Sequence, residues 1–453
     1  MDDLQSFLQN YKSENPSDVV QIGETVPIEH YITALSWQFD RMVDSPVLVF
    51  ESVDGYSAPI ITNLFSSRKR IARILSTTLD GVHQKWDEIS GNLIPPKVVN
   101  QGVSQEVCYI GDEVNADHIP ILKHFEQDAG RYITSGVIIA KHPKEKWVNL
   151  SFHRLQYKSP RKFGISLHSR GHLWEYFNES EKMGKDLEVA IIIGMHPAFL
   201  IGAASSLPIE VSEMDVVGSI LGHSLNVVKG KTVDLEVPSD AEIILEGKIL
   251  NGVLEDEGPF GEYTRHSSDR STRNVVEISA LTHRSNYMYL DISPGGSKDH
   301  LNLGLIQKEA ELLRKLKQIM PEVRSLHFPT SGTMYHCYVS IEKQRSSDGR
   351  RAALLVLALD PYVKMSIAVD RDIDITDESQ VLWALATRVQ PREDDTIIEN
   401  MTCNLLDPSS SKEGTSSKIA IDATRPANWS ATLLTLPENA TKWARDFLNN
   451  KGW

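Results

Sequence analysis

The stretch from residue 107 to 290 constrains the fold most, because it is a series of short β-prone runs broken by Gly, Pro and Asp. The runs are Thr134-Ser-Gly-Val-Ile-Ile-Ala140, Trp147 to Tyr157, Glu188-Val-Ala-Ile-Ile-Ile193, Ala241 to Leu250 and Val275 to Leu281. Many short strands separated by turn residues predict a β-barrel or sandwich. Leu173 to Lys185 and Met214 to Leu221 read as helices inserted in it. Both flanks have α/β texture. Before the β-rich stretch, helical spacing at Leu4 to Tyr11, Glu29 to Met42 and the basic Ser67 to Ser76 alternates with the strand-like Pro46-Val-Leu-Val-Phe50. After it, Leu301 to Met320 carries apolar residues at helical spacing until Pro321 stops it, as a connecting or a dimer element. Strands at Met334 to Ile341 and Met365 to Val369 then alternate with helices at Arg350 to Leu359 and Gln380 to Ala386. The Ser-rich loop Ser409 to Ser417 is read as mobile.

At about 150 residues per domain, 453 residues make two or three packed units. With 47 Lys+Arg against 61 Asp+Glu, the net charge of -14 argues against nucleic-acid binding, which needs a concentrated basic face. No run of about 18 apolar residues predicts a membrane span. The acidic, amphipathic start MDDLQSFLQNYKSE is not a secretion signal, so a cytoplasmic location is expected. Cys108, Cys337 and Cys403 are few, odd in number and far apart, which suits reduced thiols.

Absent motifs remove whole classes. The chain has no G-x-x-x-x-G-K-[ST], no G-x-G-x-x-G after a strand, no C-x-x-C, no H-E-x-x-H and no G-x-S-x-G. This argues against triphosphatase, Rossmann dehydrogenase, zinc protease and α/β-hydrolase readings.

Several constellations remain. Glu257 and Glu262 bracket Gly258, Pro259 and Gly261, and only a bent loop brings side chains five positions apart to one site. Converged, such a pair suits proton transfer; spacing alone favours a surface turn with solvated acids. Trp147-Val-Asn-Leu-Ser-Phe-His-Arg154 studs a strand with polar groups that are costly to bury without partners, although an edge strand with one wet face would also carry them. His168 and His172 have the spacing of a helical metal pair, but Gly171 weakens the helix and no carboxylate lies within a turn before it. Ala203-Ala-Ser-Ser-Leu-Pro208, followed by Ser212-Glu213, is a small-residue loop that an anion can approach, or a plain connection. Lys364, just before a strand, could reach a phosphate, although a lone Lys is usually a solvated charge.

In this order these segments resemble the UbiD-type decarboxylases, which use prenylated flavin mononucleotide. The resemblance runs from Leu4-Gln-Ser-Phe-Leu8 to Ile419-Ala-Ile-Asp-Ala-Thr424. Its most specific pieces are Asn149-x4-Arg154, Ser205-Ser-x-Pro208 with Ser212-Glu213, and Glu257-Gly-Pro-Phe-Gly-Glu262. It implies an α/β and β fold: an N-terminal α/β domain over 1–106, a split β-barrel that binds the flavin over 107–300, a connecting helix over 301–323 and a C-terminal α/β dimerisation domain over 324–453.

The resemblance also assigns roles. Asn149, His172 and Glu213 would hold a Mn²⁺ that bridges to the flavin phosphate, a donor set suited to a hard or borderline ion. Ser151, Phe152, His153, Arg154 and Gly171 would contact the cofactor, and Ser205, Ser206, Leu207 and Pro208 would line it and help bind K⁺. Lys364 would pair with the phosphate, and His168 would be incidental. Arg154, Glu257 and Glu262 would form the catalytic set: Arg154 orients the substrate carboxylate and sets the charge of Glu257, and Glu262 gives a proton to the carbon that lost CO₂. On a regular strand Asn149 and Arg154 face opposite ways, so a bulge or a strand end is expected between them.

Two departures bear on substrate. Gly171 stands before the metal histidine where many members have Gln, and Tyr263-Thr-Arg-His266 follows Glu262 where relatives often have Gly at the third position. Tyr263 is expected to border the substrate, and Arg265 to grip a polar substituent or point to solvent. The implied activity is non-oxidative decarboxylation, reversible in principle, of an aromatic, heteroaromatic or α,β-unsaturated carboxylic acid. A flavin prenyltransferase would supply the cofactor, and the homo-oligomer would be a dimer or a hexamer. The alternatives are a polyprenyl-hydroxybenzoate decarboxylase of quinone biosynthesis, a non-catalytic subunit of a multicomponent carboxylase, and a flavin reductase.

Overall fold

The computed structural model describes residues 2–42, 45–167 and 171–451. Its β-rich centre is a nine-stranded sheet. From edge to edge the strands are Tyr132–Ile133, Leu155–Ser159, Lys162–Ile165, Ser271–His283, Ile243–Glu257, Leu187–Ile193, Val137–Lys141 and Val148–Phe152, with Val107–Ile110 added on Ser271–His283. All neighbours are antiparallel. Side chains alternate between faces, and here both faces are covered. Ala190 and Ile192 enter one core while Val189, Ile191 and Ile193 enter another, which explains the uninterrupted apolar run at this position.

The ends of this sheet are tied together by the chain itself. Phe152 closes one edge strand, and Leu155 opens the strand beside the opposite edge. Three peptide links reach at most about 11 Å, so the sheet must curl until its ends nearly meet. Among the described residues Val148–Phe152 and Tyr132–Ile133 do not pair, and the barrel stays open along this seam. The single strand read over Trp147 to Tyr157 is therefore two strands, interrupted at His153 and Arg154. That break is the strand end expected between Asn149 and Arg154.

The flanking units are α/β. The first sheet orders Val19–Ile22, Val47–Phe50, Ile60–Thr62 and Tyr289–Leu290, so the chain returns after the barrel to add an edge strand. The helix Lys298–Ile319 follows, with buried residues on most of its circumference. Its Asp299 carboxylate accepts from the backbone N–H of Asn63 at 3.1 Å and of Phe65 at 2.6 Å, and Asn302 Nδ2 donates to the carbonyls of Phe65 and Ser66. Further along, Glu309 takes the Arg68 guanidinium, the backbone N–H of Phe328 at 2.7 Å and Nδ1 of His327 at 3.2 Å. Of the two readings of this helix, the connecting one describes its contacts, since it clamps the first unit to the last within one chain.

The last sheet runs Val323–His327, His336–Ile341, Met365–Asp370, Thr415–Ala423 and Asp395–Thr402, with helices Asp348–Leu359 and Glu378–Arg388. The loop read as mobile carries hydrogen bonds of its own. Ser409 donates through its N–H and its hydroxyl to Asp407 Oδ1, Ser411 bonds Thr415, and Ser416 and Ser417 already belong to a strand. The helix Glu438–Asn450 buries nothing, although Trp443 and Phe447 stack along one face. All three cysteines are free. Among the described residues no helix is long and apolar enough to cross a membrane.

Candidate active site

Arg154 lies in the seam, between two strands rather than within one, and its side chain is free to turn toward the end of Ile243–Glu257. There Nε and Nη2 donate to Oε1 and Oε2 of Glu257 at 2.9 and 2.8 Å, and Nη1 bonds Oε1 of Glu262. The two glutamates converge because the chain bends after Glu257. Gly258 adopts φ +83°, and a Cβ there would meet the Asp269 carbonyl at 2.9 Å. The bend is pinned by Asp128, which accepts from the N–H of Gly261 at 2.9 Å, and by Pro259 O, which accepts from Ala129 N–H and Tyr132 O–H. The Phe260 ring stands 4.9 Å from the guanidinium carbon, a cation–π contact.

The electrostatics separate these groups. Glu257 is fully buried and takes the bidentate grip, the strongest geometry for a carboxylate and an arginine. Burial pushes the Glu262 carboxyl above the ordinary range, more than Arg154 pulls it down. Burial alone would lower the Arg154 pKa, but its bonds to Glu257 and its attraction to Glu262 raise it, so it stays charged. A fixed cation beside an acid that tends to hold its proton suits carboxylate binding with proton donation.

A second cluster lies on the other side of the same strand break. Asn149 comes from Val148–Phe152, while His172 and Glu213 are the first residues of the helices His172–Lys182 and Glu213–Leu221. Asn149 Nδ2 lies 3.2 Å from Glu213 Oε1 and 3.5 Å from His172 Nδ1, and Leu150 N–H donates to Glu213 Oε2 at 2.8 Å. Burial pushes Glu213 up to about 7 and lowers His172. Among the described residues nothing bonds the buried Asn149 Oδ1 and Ser151 Oγ. A buried carboxylate with no cation beside it among the described residues, an imidazole and an amide oxygen fit a divalent ion. Among the described residues no trio of His, Cys, Asp or Glu could hold a metal, so this set depends on Asn149. Two helix N-termini meeting at one point also favour a phosphate.

The other expected site residues are placed as follows. Phe152 packs half-buried against the core, and His153 is buried with Nδ1 3.1 Å from Ser166 O. Gly171 is the N-cap of the helix that His172 opens and supplies no side-chain cap. Ser205 Oγ bonds Gly202 O, the Ser206 backbone engages Glu311, Leu207 packs on the core, and Pro208 accepts from Val211 N–H. Lys364 is not brought to the cluster. It pairs with Asp407 Oδ2 at 2.7 Å and donates to Ser409 Oγ at 2.7 Å. Arg265 is exposed with φ +64°, and Tyr263 is buried. His168 lies outside the described residues. Asp128, Tyr132, Tyr335 and Asn404 carry no motif, and only the fold brings them to the site.

Three family models match in order: the N-terminal, Rift-related and C-terminal domains of 3-octaprenyl-4-hydroxybenzoate carboxy-lyase (UbiD), over residues 11–89, 97–297 and 301–423. The chain is 34% identical over 381 residues to anhydromevalonate phosphate decarboxylase of Methanothermobacter thermautotrophicus, covering 84% of this chain and 88% of the relative. It superposes on the UbiD-class enzyme HmfF from Pelotomaculum thermopropionicum in complex with FMN with a TM-score of 0.93 at 36% identity, over 98% of this chain and 100% of that one. An evolved dimeric form of HmfF in complex with prFMN gives 0.90 at 35%, over 99% and 100%. Vanillic acid decarboxylase of Sedimentibacter hydroxybenzoicus in closed form gives 0.85 at 27%, over 99% and 98%. With three domain models in sequence and relatives matched over nearly their whole length, this chain belongs to the UbiD family and is a carboxy-lyase.

Proposed function

We propose that this protein catalyses the non-oxidative decarboxylation of a compact aromatic, heteroaromatic or α,β-unsaturated carboxylic acid with prenylated FMN as cofactor. The observation that carries this reading is the convergence of Glu257 and Glu262 on Arg154. When bound, prenylated FMN would supply an electron sink for the carbon that bears the carboxylate. Arg154 orients that carboxylate, and Glu257 holds the guanidinium in plane. The bond to the carboxylate breaks, CO₂ leaves, and the proton of Glu262 takes its place on carbon; a solvent proton then restores Glu262. Asn149, His172 and Glu213 would hold Mn²⁺, which would supply positive charge for the cofactor's phosphate. Ser151, Phe152, His153, Arg154 and Gly171 would contact the cofactor, and the Ser205–Pro208 loop would line it and help bind K⁺. Lys364 reaches the phosphate only by leaving Asp407.

The domain limits of 1–106, 107–300, 301–323 and 324–453 form part of the same reading, as do a cytoplasmic location and supply of cofactor by a flavin prenyltransferase. A homodimer is supported by the uncovered Trp443–Phe447 face of the last helix. The bonded hydroxyls of Tyr263 and Tyr335 lie close enough to feel the Glu262 charge, and this polar ground supports a compact acid over a polyprenyl chain, which calls for a greasy channel.

The test is mass spectrometry and absorbance of protein co-expressed with a flavin prenyltransferase, then a CO₂-release screen over cinnamic, hydroxybenzoic, furoic, pyrrole- and indole-carboxylic acids. Bound prenylated flavin with release from one class is expected. Ordinary flavin alone, or none, would overturn the cofactor assignment and move the reductase and silent-subunit readings forward.

A further inference from the structure

Tyr263 follows Glu262 directly and leaves the barrel's end loop for a different core. Among the described residues it is the only buried member of the C-terminal hydrophobic cluster that precedes residue 301, packed with Leu301, Leu305 and Tyr335. Its hydroxyl lies 3.1 Å from the Tyr335 hydroxyl and accepts from Asn404 Nδ2 at 2.6 Å. Both partners belong to the C-terminal unit: Tyr335 precedes the strand His336–Ile341, and Asn404 follows Asp395–Thr402. The Asn404 side chain is itself set by Leu406 N–H, which donates to Oδ1 at 2.9 Å. On its own side, Tyr263 sits in a short turn where Glu262 N–H donates to His266 O and Arg265 N–H donates to Glu262 O, both at 2.9 Å. Gly296 backs this turn, since a Cβ there would meet the Tyr263 carbonyl at 2.6 Å.

A buried phenol anchored in one unit and covalently adjacent to a carboxyl of another transmits the placement of the first to the second. We propose that Tyr263 is a positioning residue: through Tyr335 and Asn404 it couples the seating of the C-terminal unit to the position of Glu262 against Arg154. The inference rests on the reading of Glu262 as proton donor and deepens it. Vanillic acid decarboxylase is known in both closed and open forms; in the present chain the Tyr263 anchor makes the donor competent only when the C-terminal unit is seated.

The experiment uses the full chain loaded with prenylated flavin and three variants: Tyr263→Phe, Asn404→Ala and the double variant. Tyr263→Phe keeps the ring in its core and removes only the hydroxyl. Amide hydrogen exchange at Glu262 and Arg265, which needs no substrate, is expected to rise about tenfold in either single variant. With the acid that the CO₂ screen identifies, kcat is expected to fall about tenfold with KM changed less than about twofold, and the double variant is expected to fall no further than the worse single one. Unchanged exchange, an unchanged kcat, or strictly additive losses would overturn the coupling. If Glu262→Gln turned over like the unaltered protein while exchange in Tyr263→Phe still rose, the donor reading would fail and the anchor would stand.

Discussion

Arg154 grips both carboxylate oxygens of Glu257, with Nε and Nη2 at 2.9 and 2.8 Å, and this parallel pair sets the plane in which the remaining Nη1 meets Glu262. A lysine at this position keeps the charge and loses the plane. Arg154→Lys is therefore expected to lower kcat roughly 100-fold or more while leaving bound flavin unchanged. Steady-state kinetics with flavin absorbance on the same preparation checks both halves. Wild-type kcat with a lysine would mean that charge alone suffices.

Glu262 is the group assigned to supply the proton. Glu262→Gln is expected to abolish turnover, a loss of at least about 10³-fold, while flavin and metal remain bound. Loss of flavin in this variant would make Glu262 a binding residue instead.

The same assignment fixes the direction of the pH dependence. Burial raises the Glu262 carboxyl above its ordinary value, so the protonated, donating form persists into a range where a solvated glutamate is ionised. Turnover is expected to decline as pH rises through the raised value, with a slope of one proton in a plot of log kcat against pH. A rate that climbs over that interval would make Glu262 a base.

Glu213 is assigned to the proposed Mn²⁺ site, which would in turn favour the flavin phosphate. Its carboxylate is buried, bonded by Leu150 N–H and Asn149, and faces no cation among the described residues. Glu213→Ala is expected to cost both Mn²⁺ and flavin, read by metal analysis and absorbance of purified protein. Retention of both would remove Glu213 from the metal site.

Part of this site is legible in the sequence, because some of its chemistry is local. The Gly and Pro between Glu257 and Glu262 signal a bend, and the five-residue offset of Asn149 and Arg154 demands a break in the strand; the structure has both. Spacing could not show which way the bent loop turned, so the glutamates read as readily as surface acids until Arg154 stood between them. Lys364 illustrates the opposite limit: its partner Asp407 is 43 positions away, on a serine-rich loop that composition marks as mobile but that carries hydrogen bonds through Asp407. Asn404 reaches Tyr263 from 141 positions away, and nothing in the sequence around Asn404 points to that contact. The first sheet was hidden for the same reason, since its last strand, Tyr289–Leu290, arrives only after the whole barrel has been traversed.

Glu309 tests the joint that holds the units together. It is buried on the helix Lys298–Ile319 between Arg68 of the first unit and His327 of the last. Burial would raise its carboxyl, but Arg68 and His327 outweigh burial and bring it down to about 2 from the ordinary 4.5. A carboxyl depressed in the folded state takes up its proton later than it does in the unfolded chain, so its stabilisation is complete above the unfolded value and is lost as pH falls toward the folded one. Glu309→Gln keeps the shape, removes the charge and leaves Arg68 without its partner, at a cost of about 3 kcal/mol near neutral pH. Thermal unfolding of the two proteins is therefore expected to differ by several degrees near pH 7, with the gap narrowing steadily below about pH 4.5. A gap that stayed constant down to about pH 3 would mean that the carboxylate contributes by packing rather than by charge.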